Sequence, residues 1–153
     1  MSTNVKRFLV GILGGALLTS LVLLVVEMQA QPVVTVYKSE TCGCCNDWVD
    51  HLKEAGFEVT AMNRDDMNSV KSQLGVPVQL ASCHTAVVGK YVVEGHVPAA
   101  SIRRLLDEEA NIRGLAVPGM PTGSPGMEVP GRPADRYDVI AFSTEGTAVF
   151  DRY

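Results

Sequence analysis

Cys42, Cys44 and Cys45 fall together in Thr41-Cys42-Gly43-Cys44-Cys45, and a fourth cysteine, Cys83, stands in Ser82-Cys83-His84-Thr85. Four thiols are too few for a disulfide-dense scaffold, and three so close together are not placed to staple distant loops. Cys42 and Cys45 form a Cys-x-x-Cys pair at the predicted start of a helix, where free backbone N–H groups and the helix dipole favour thiolates. A thiolate is both the nucleophile of disulfide exchange and a ligand for a soft metal, so the pair alone serves either chemistry. Cys44 tilts the choice. An exchanger needs two sulfurs and is exposed to scrambling by a third, whereas a soft-metal site gains a ligand from it. Thiolates suit copper(I) and also zinc. Adjacent Cys44 and Cys45 strain a simple four-sulfur zinc site, which favours copper(I), as one ion or several bridged by sulfur. Zinc stays open as an alternative, as do two structural disulfides such as Cys42–Cys45 with Cys44–Cys83.

Other soft or nitrogen ligands are few. His84 follows Cys83 and joins the candidate ligands if the next strand begins after it, since successive strand side chains point to opposite faces. His51 reads as a solvated histidine on the polar face of a helix, and His96 as a side chain hydrogen-bonding around a helix start. Met120 and Met127 lie in Val117-Pro118-Gly119-Met120-Pro121-Thr122-Gly123-Ser124-Pro125-Gly126-Met127. Methionine ordinarily fills cores, but this stretch has little apolar company for them, and thioethers suit copper(I). Both are candidate ligands.

The elements that must position these groups follow from periodicity. Val33 to Lys38 is β-branched and apolar and predicts a buried strand. A helix from about Cys44 to Ala55 carries Trp48, Val49, Leu52 and Ala55 on one face, with Gly56 beyond it. Phe57 to Met62 predicts a second strand, and Met67, Val70 and Leu74 the core face of a short helix ending at Gly75. Two strands follow, Thr85 to Gly89 and Tyr91 to Glu94, turning about Gly89–Lys90. A helix after Pro98 faces inward with Ile102, Leu105 and Leu106. The order β-α-β-α-β-β-α is that of an α/β, thioredoxin-like fold, which sets its active motif between the first strand and first helix and a facing loop before the third strand. Cys83 belongs to that loop. Pro118 to Pro133 holds five prolines and four glycines, so it predicts an ordered loop on the domain. A C-terminal β-hairpin, Tyr137 to Phe142 with Thr147 to Tyr153, ends the chain.

The 153 residues divide into a segment 1–31 and a domain 32–153. Charged residues make up 20% and hydrophobic ones 46%, and the net charge of −4 with no basic run argues against a nucleic-acid partner. Lys6 and Arg7 precede 19 uncharged residues, Phe8 to Val26, which as a helix would span ~28 Å, about a bilayer core. This N-terminal apolar helix predicts a membrane anchor, or a signal peptide removed on export. Either way the basic flank stays in the cytoplasm and the domain is exported, in a bacterium to the periplasm, inner-membrane-anchored through residues 8–26 or soluble after cleavage.

Several motifs, Thr41-Cys42-Gly43-Cys44-Cys45, Gly75-Val76-Pro77, Ser82-Cys83-His84-Thr85-Ala86, Tyr91-Val92-Val93-Glu94-Gly95-His96-Val97-Pro98 and Pro118-Gly119-Met120-Pro121, resemble the CopG-like copper-resistance proteins. The resemblance runs from about Val33 to Tyr153. It implies a thioredoxin-like fold, copper handling, and metal-binding cysteines at Cys42, Cys44, Cys45 and Cys83. The expected partners are copper ions and other copper-resistance proteins. The expected function is copper(I) binding in copper homeostasis, with a copper or thiol–disulfide oxidoreductase on the same cysteines as the alternative.

Overall fold

One sheet of seven strands runs through residues 32–153, the part of the chain that the computed structural model describes. Strand β1 (Val34–Lys38) leads to helix α1 (Gly43–Glu54), and β2 (Val59–Asn63) returns parallel to β1. Helix α2 (Met67–Leu74) and a 3-10 turn (Val78–Leu80) precede β3 (Thr85–Val88), which pairs antiparallel with β1. Strand β4 (Tyr91–Glu94) forms a hairpin with β3, and helix α3 (Ala99–Asp107) follows. Then come β5 (Gly114–Ala116), β6 (Asp138–Ser143) and β7 (Gly146–Arg152). The spatial order is β2-β1-β3-β4-β5-β6-β7.

The expected succession from β1 to α3, the long loop and the terminal hairpin are all present in this mixed α/β unit. The apolar helix and anchor or signal expected within residues 1–31 lie outside the described residues. Among the described residues no helix is long and apolar enough to cross a membrane.

Strand β5 was not expected. It lies parallel to β4, with Gly114 opposite Val92, and carries the sheet across to the terminal hairpin. A Cβ at Gly114 would stand 1.8 Å from the Val92 carbonyl oxygen, so only glycine lets the two backbones approach this closely. Helix α2 also departs from its expected core face. Met67, Val70 and Leu74 are only half-buried, and the buried residue of the helix is Lys71, whose ammonium has a carboxylate partner inside the fold.

Helix α1 buries Cys45, Trp48, Val49 and Leu52, spaced i, i+3, i+4 and i+7. Trp48, Val49 and Leu52 join Val34 and Val36 of β1, Ile102 and Leu105 of α3, and Leu115 of β5 in one apolar cluster. Each such side chain contributes about 1.5–3 kcal/mol on leaving water. Trp48 also donates its indole N–H to Val97 O at 2.9 Å, tying α1 to the turn before α3. His51 is not the solvated residue expected. It is half-buried, and its Nε2 accepts the Ala99 backbone N–H at 3.1 Å, satisfying a donor at the start of α3. The middle and last turns of α1 are thereby tied to the segment that leads into α3.

Candidate metal centre

The chain leaves β1 at Lys38, turns through Ser39 to Thr41, and enters α1 at Cys42. Cys42 is the N-cap residue, extended at φ −77 and ψ 95, with no side-chain cap. The first-turn N–H groups of α1 therefore face the sulfurs' end of the helix. Cys42 and Cys45 are joined in a disulfide with their Cα atoms 5.4 Å apart, while Cys44 and Cys83 are free thiols. The Cys44–Cys83 bridge weighed from the sequence is thus not formed. Cys44 Sγ lies 3.6 Å from Cys42 Sγ. All four sulfurs lie within 4.8 Å of one another, although Cys83 comes from the loop before β3. A disulfide sulfur has no thiolate to offer a metal, so reduction of Cys42–Cys45 by two electrons is needed before all four can bind.

A second grouping shares Cys83. His84 and His96 also lie within 4.8 Å of it and of each other. His96, the residue assigned above to a helix start, instead lies fully buried with Nε2 2.9 Å from Cys83 Sγ. Its Nδ1 stands 2.8 Å from the Pro125 carbonyl oxygen, which can only accept. That bond places the ring proton on Nδ1 and leaves the Nε2 lone pair toward Cys83, as when a backbone carbonyl holds a metal-binding imidazole in orientation. The Gly95 turn just before His96 hides this proximity from sequence spacing. The only available signal was a histidine beside that glycine, in the short connection between a strand and a helix.

His84 is also fully buried. Its Nδ1 lies 3.3 Å from Cys83 Sγ, its ring is 4.3 Å from Trp48 and 4.9 Å from His96, and Nε2 finds no hydrogen-bond partner among the described residues. Burial, then the neighbouring His96 and Lys71, hold its pKa well below the ordinary histidine value. Burial likewise lowers His96. Burial and the adjacent Cys44 push the Cys83 thiol up to about 11. Near neutral pH, then, Cys83 is a thiol donating to a neutral imidazole, and a metal ion entering there displaces its proton.

The Gly/Pro-rich loop closes over the site. Gly126 meets the first turns of α1 so tightly that a Cβ would stand 2.8 Å from Trp48 N and 2.9 Å from Cys44 O. Ser82 Oγ donates to Gly119 O, tying the loop to the residue before Cys83. Of the two methionines, Met120 is exposed and Met127 half-buried within the same loop.

Soft sulfur and imidazole donors, one imidazole nitrogen unsatisfied, fit a copper ion by ligand chemistry. No curated protein sequence matches the chain. A family model described as "Protein of unknown function, DUF411" matches residues 80–127, a stretch that includes Cys83 and ends at Met127. Two solved structures, "Copper resistance protein copG" in form 2 and form 1, are each 48% identical to it. Their TM-scores are 0.76 and 0.75, and each match covers 80% of this chain and 98% of the other. The chain belongs to the CopG copper-resistance family. The CopG match extends well beyond the 80–127 family segment, so the CopG likeness rests on the whole arrangement rather than on a short motif.

Proposed function

We propose that this CopG-family chain is a periplasm-facing copper(I)-binding protein of copper resistance. Its ligands would be Cys42, Cys44, Cys45 and Cys83, with His84 and His96 completing the set. The observation that carries the reading is four sulfurs within 4.8 Å, from two separate segments, beside two buried neutral imidazoles. The element order and the cysteine pair between β1 and α1 support a thioredoxin-like fold. The relatives named for copper resistance support copper over zinc. Met120 and Met127 are proposed as thioether ligands or as a route for copper(I) into the site. Residues 8–26, if retained, would anchor the domain to the inner membrane, and other copper-resistance proteins would exchange copper with it.

The test is metal content and free-thiol count of the chain after anaerobic reduction, copper(I) loading and desalting. Retained copper that is lost on Cys42→Ser, Cys45→Ser or Cys83→Ser supports the shared site. No retained copper, with a Cys42–Cys45 disulfide that is readily reduced and re-formed, sinks it.

A second reading has its own observation. The Cys42–Cys45 disulfide with a third sulfur 3.6 Å away is also what a copper or thiol–disulfide oxidoreductase would present. Cys44→Ser separates the two. A dithiol exchanger keeps its exchange activity, whereas a multi-thiolate copper site loses affinity or stoichiometry.

A further inference from the structure

Glu94, the last residue of β4, is fully buried. An isolated carboxylate there would be very costly, and even a paired one is commonly matched in stability by an apolar residue of similar volume. Pairing between β3 and β4 uses backbone groups and does not require this side chain. Its hydrogen bonds show where it acts. Oε1 accepts from Lys71 Nζ at 2.6 Å and from the Ser82 backbone N–H at 2.6 Å, and Oε2 accepts from Thr85 Oγ1 at 2.6 Å. Lys71 Nζ also donates to Thr85 Oγ1 at 3.0 Å, so the threonine hydroxyl relays between ammonium and carboxylate.

Ser82 and Thr85 bracket Cys83 and His84. One carboxylate therefore grips the chain on both sides of the dipeptide that carries two candidate ligands. The next backbone N–H, of Gly95, donates to His84 O at 3.0 Å and closes the remaining freedom between the two grips. One residue further on stands His96, against Cys83. We propose that Glu94, neutralised by Lys71, is a positioning residue that holds Cys83 and His84 in metal-binding register with His96. The proposal rests on the copper-site reading above for its role, but the clamp itself is testable without copper. Lys71 reaches this carboxylate from α2, which accounts for a lysine as the buried residue of that helix.

The experiment uses the full chain with Lys71→Met and Glu94→Met combined, which removes both charges and both grips at similar volume. Copper(I) affinity is measured by competition with a chromophoric chelator after reduction. In the metal-free chain, alkylation of Cys83 and Cys44 by iodoacetamide is followed separately by peptide mass spectrometry, with thermal melting as the check on folding. The expected result is a loss of about 10–100-fold in copper(I) affinity, the range for outer-shell partners of metal ligands. That loss should shrink sharply in a Cys83→Ser background. Cys83 alkylation should accelerate several-fold while Cys44 is unchanged.

Unchanged affinity and unchanged Cys83 reactivity in a folded variant overturn the proposal. So does an affinity loss that persists in full without Cys83, because it would then be general destabilisation. If the double variant fails to fold, Thr85→Val removes the Oε2 grip together with the Lys71 contact to the same hydroxyl, leaves the Ser82 grip in place, and is read in the same two ways. If the parent chain retains no copper, the copper reading has failed, and the Cys83 alkylation rates still decide whether Glu94 sets the dipeptide.

Discussion

Replacing Gly126 by alanine tests whether the long loop is part of the site or merely covers it. Gly126 has φ +81, a left-handed conformation that an L side chain adopts at about 1–2 kcal/mol. The added Cβ would also stand 2.8 Å from Trp48 N and 2.9 Å from Cys44 O, both main-chain atoms in α1 that cannot swing aside. Overpacking of this kind costs about 1–3 kcal/mol. Together the two effects amount to about 2–5 kcal/mol, a large part of the ~5–15 kcal/mol that holds a domain folded. Gly131 supplies the control, because it lies in the same loop at φ +77 with nothing within 4 Å of its would-be Cβ. Urea unfolding of the Pro32–Tyr153 unit should show Gly131→Ala losing only the conformational part. Gly126→Ala should lose about 1–3 kcal/mol more, the contact part. A loop that lifts to relieve the contact also withdraws the Pro125 carbonyl from His96 Nδ1, so Gly126→Ala should weaken copper retention and Gly131→Ala should not. Equal losses from the two substitutions would refute the account of the loop as packed on α1. A stability loss with copper retention intact would refute its link to His96.

The three histidines predict a pH dependence of the metal-free protein. Burial lowers the pKa of His51, His84 and His96 below 6.5, so the unfolded chain binds more protons than the folded one beneath that value. Their contribution to stability is present above pH 6.5 and lost as pH falls through the folded values. Urea midpoints at about pH 7.5 and about pH 5 should therefore differ, with the lower stability in acid, and a flat profile would contradict the buried neutral imidazoles. Trp48 is the single tryptophan and stands 4.3 Å from the His84 ring. Copper(I) binding that engages His84 should quench its fluorescence in proportion to copper added, and saturated binding with an unchanged spectrum would place His84 outside the ligand set.

Elements with strong apolar periodicity were legible in the sequence, and the elements that rest on close backbone contact were not. The spacing of Trp48, Val49, Leu52 and Ala55 places α1 directly, because one face of a helix must meet the core, and Cys45 proves to lie on the same face. Gly114–Ala116 is too short to show any period, and what makes it a strand is a neighbour that only glycine admits. On α2 the apolar residues suggested a core face, but a buried ion pair with Glu94 turned Lys71 inward instead. The four cysteines announced a soft-ligand site by type and spacing alone. His96 did not, since its approach to Cys83 depends on the turn at Gly95 and on a carbonyl that arrives from the loop at Pro125. The same reasoning misplaced His51, whose partner, the Ala99 N–H, belongs to a helix far along the chain.

The bond between His96 and Pro125 also dictates when the centre can come into being. Cys42 and Cys45 are separated by three positions and can close on each other as soon as that turn of chain exists. The carbonyl that sets the His96 tautomer belongs to a residue made much later, and it reaches the imidazole only once the intervening α3 and β5 are in place. Contacts between distant parts of a chain form late, because the entropy of closing the intervening loop must be overcome first. During synthesis, which proceeds from the N-terminus, the local sulfur pair is therefore available well before the imidazoles are arranged. The finished ligand set, by contrast, exists only in a chain that has been completed and folded.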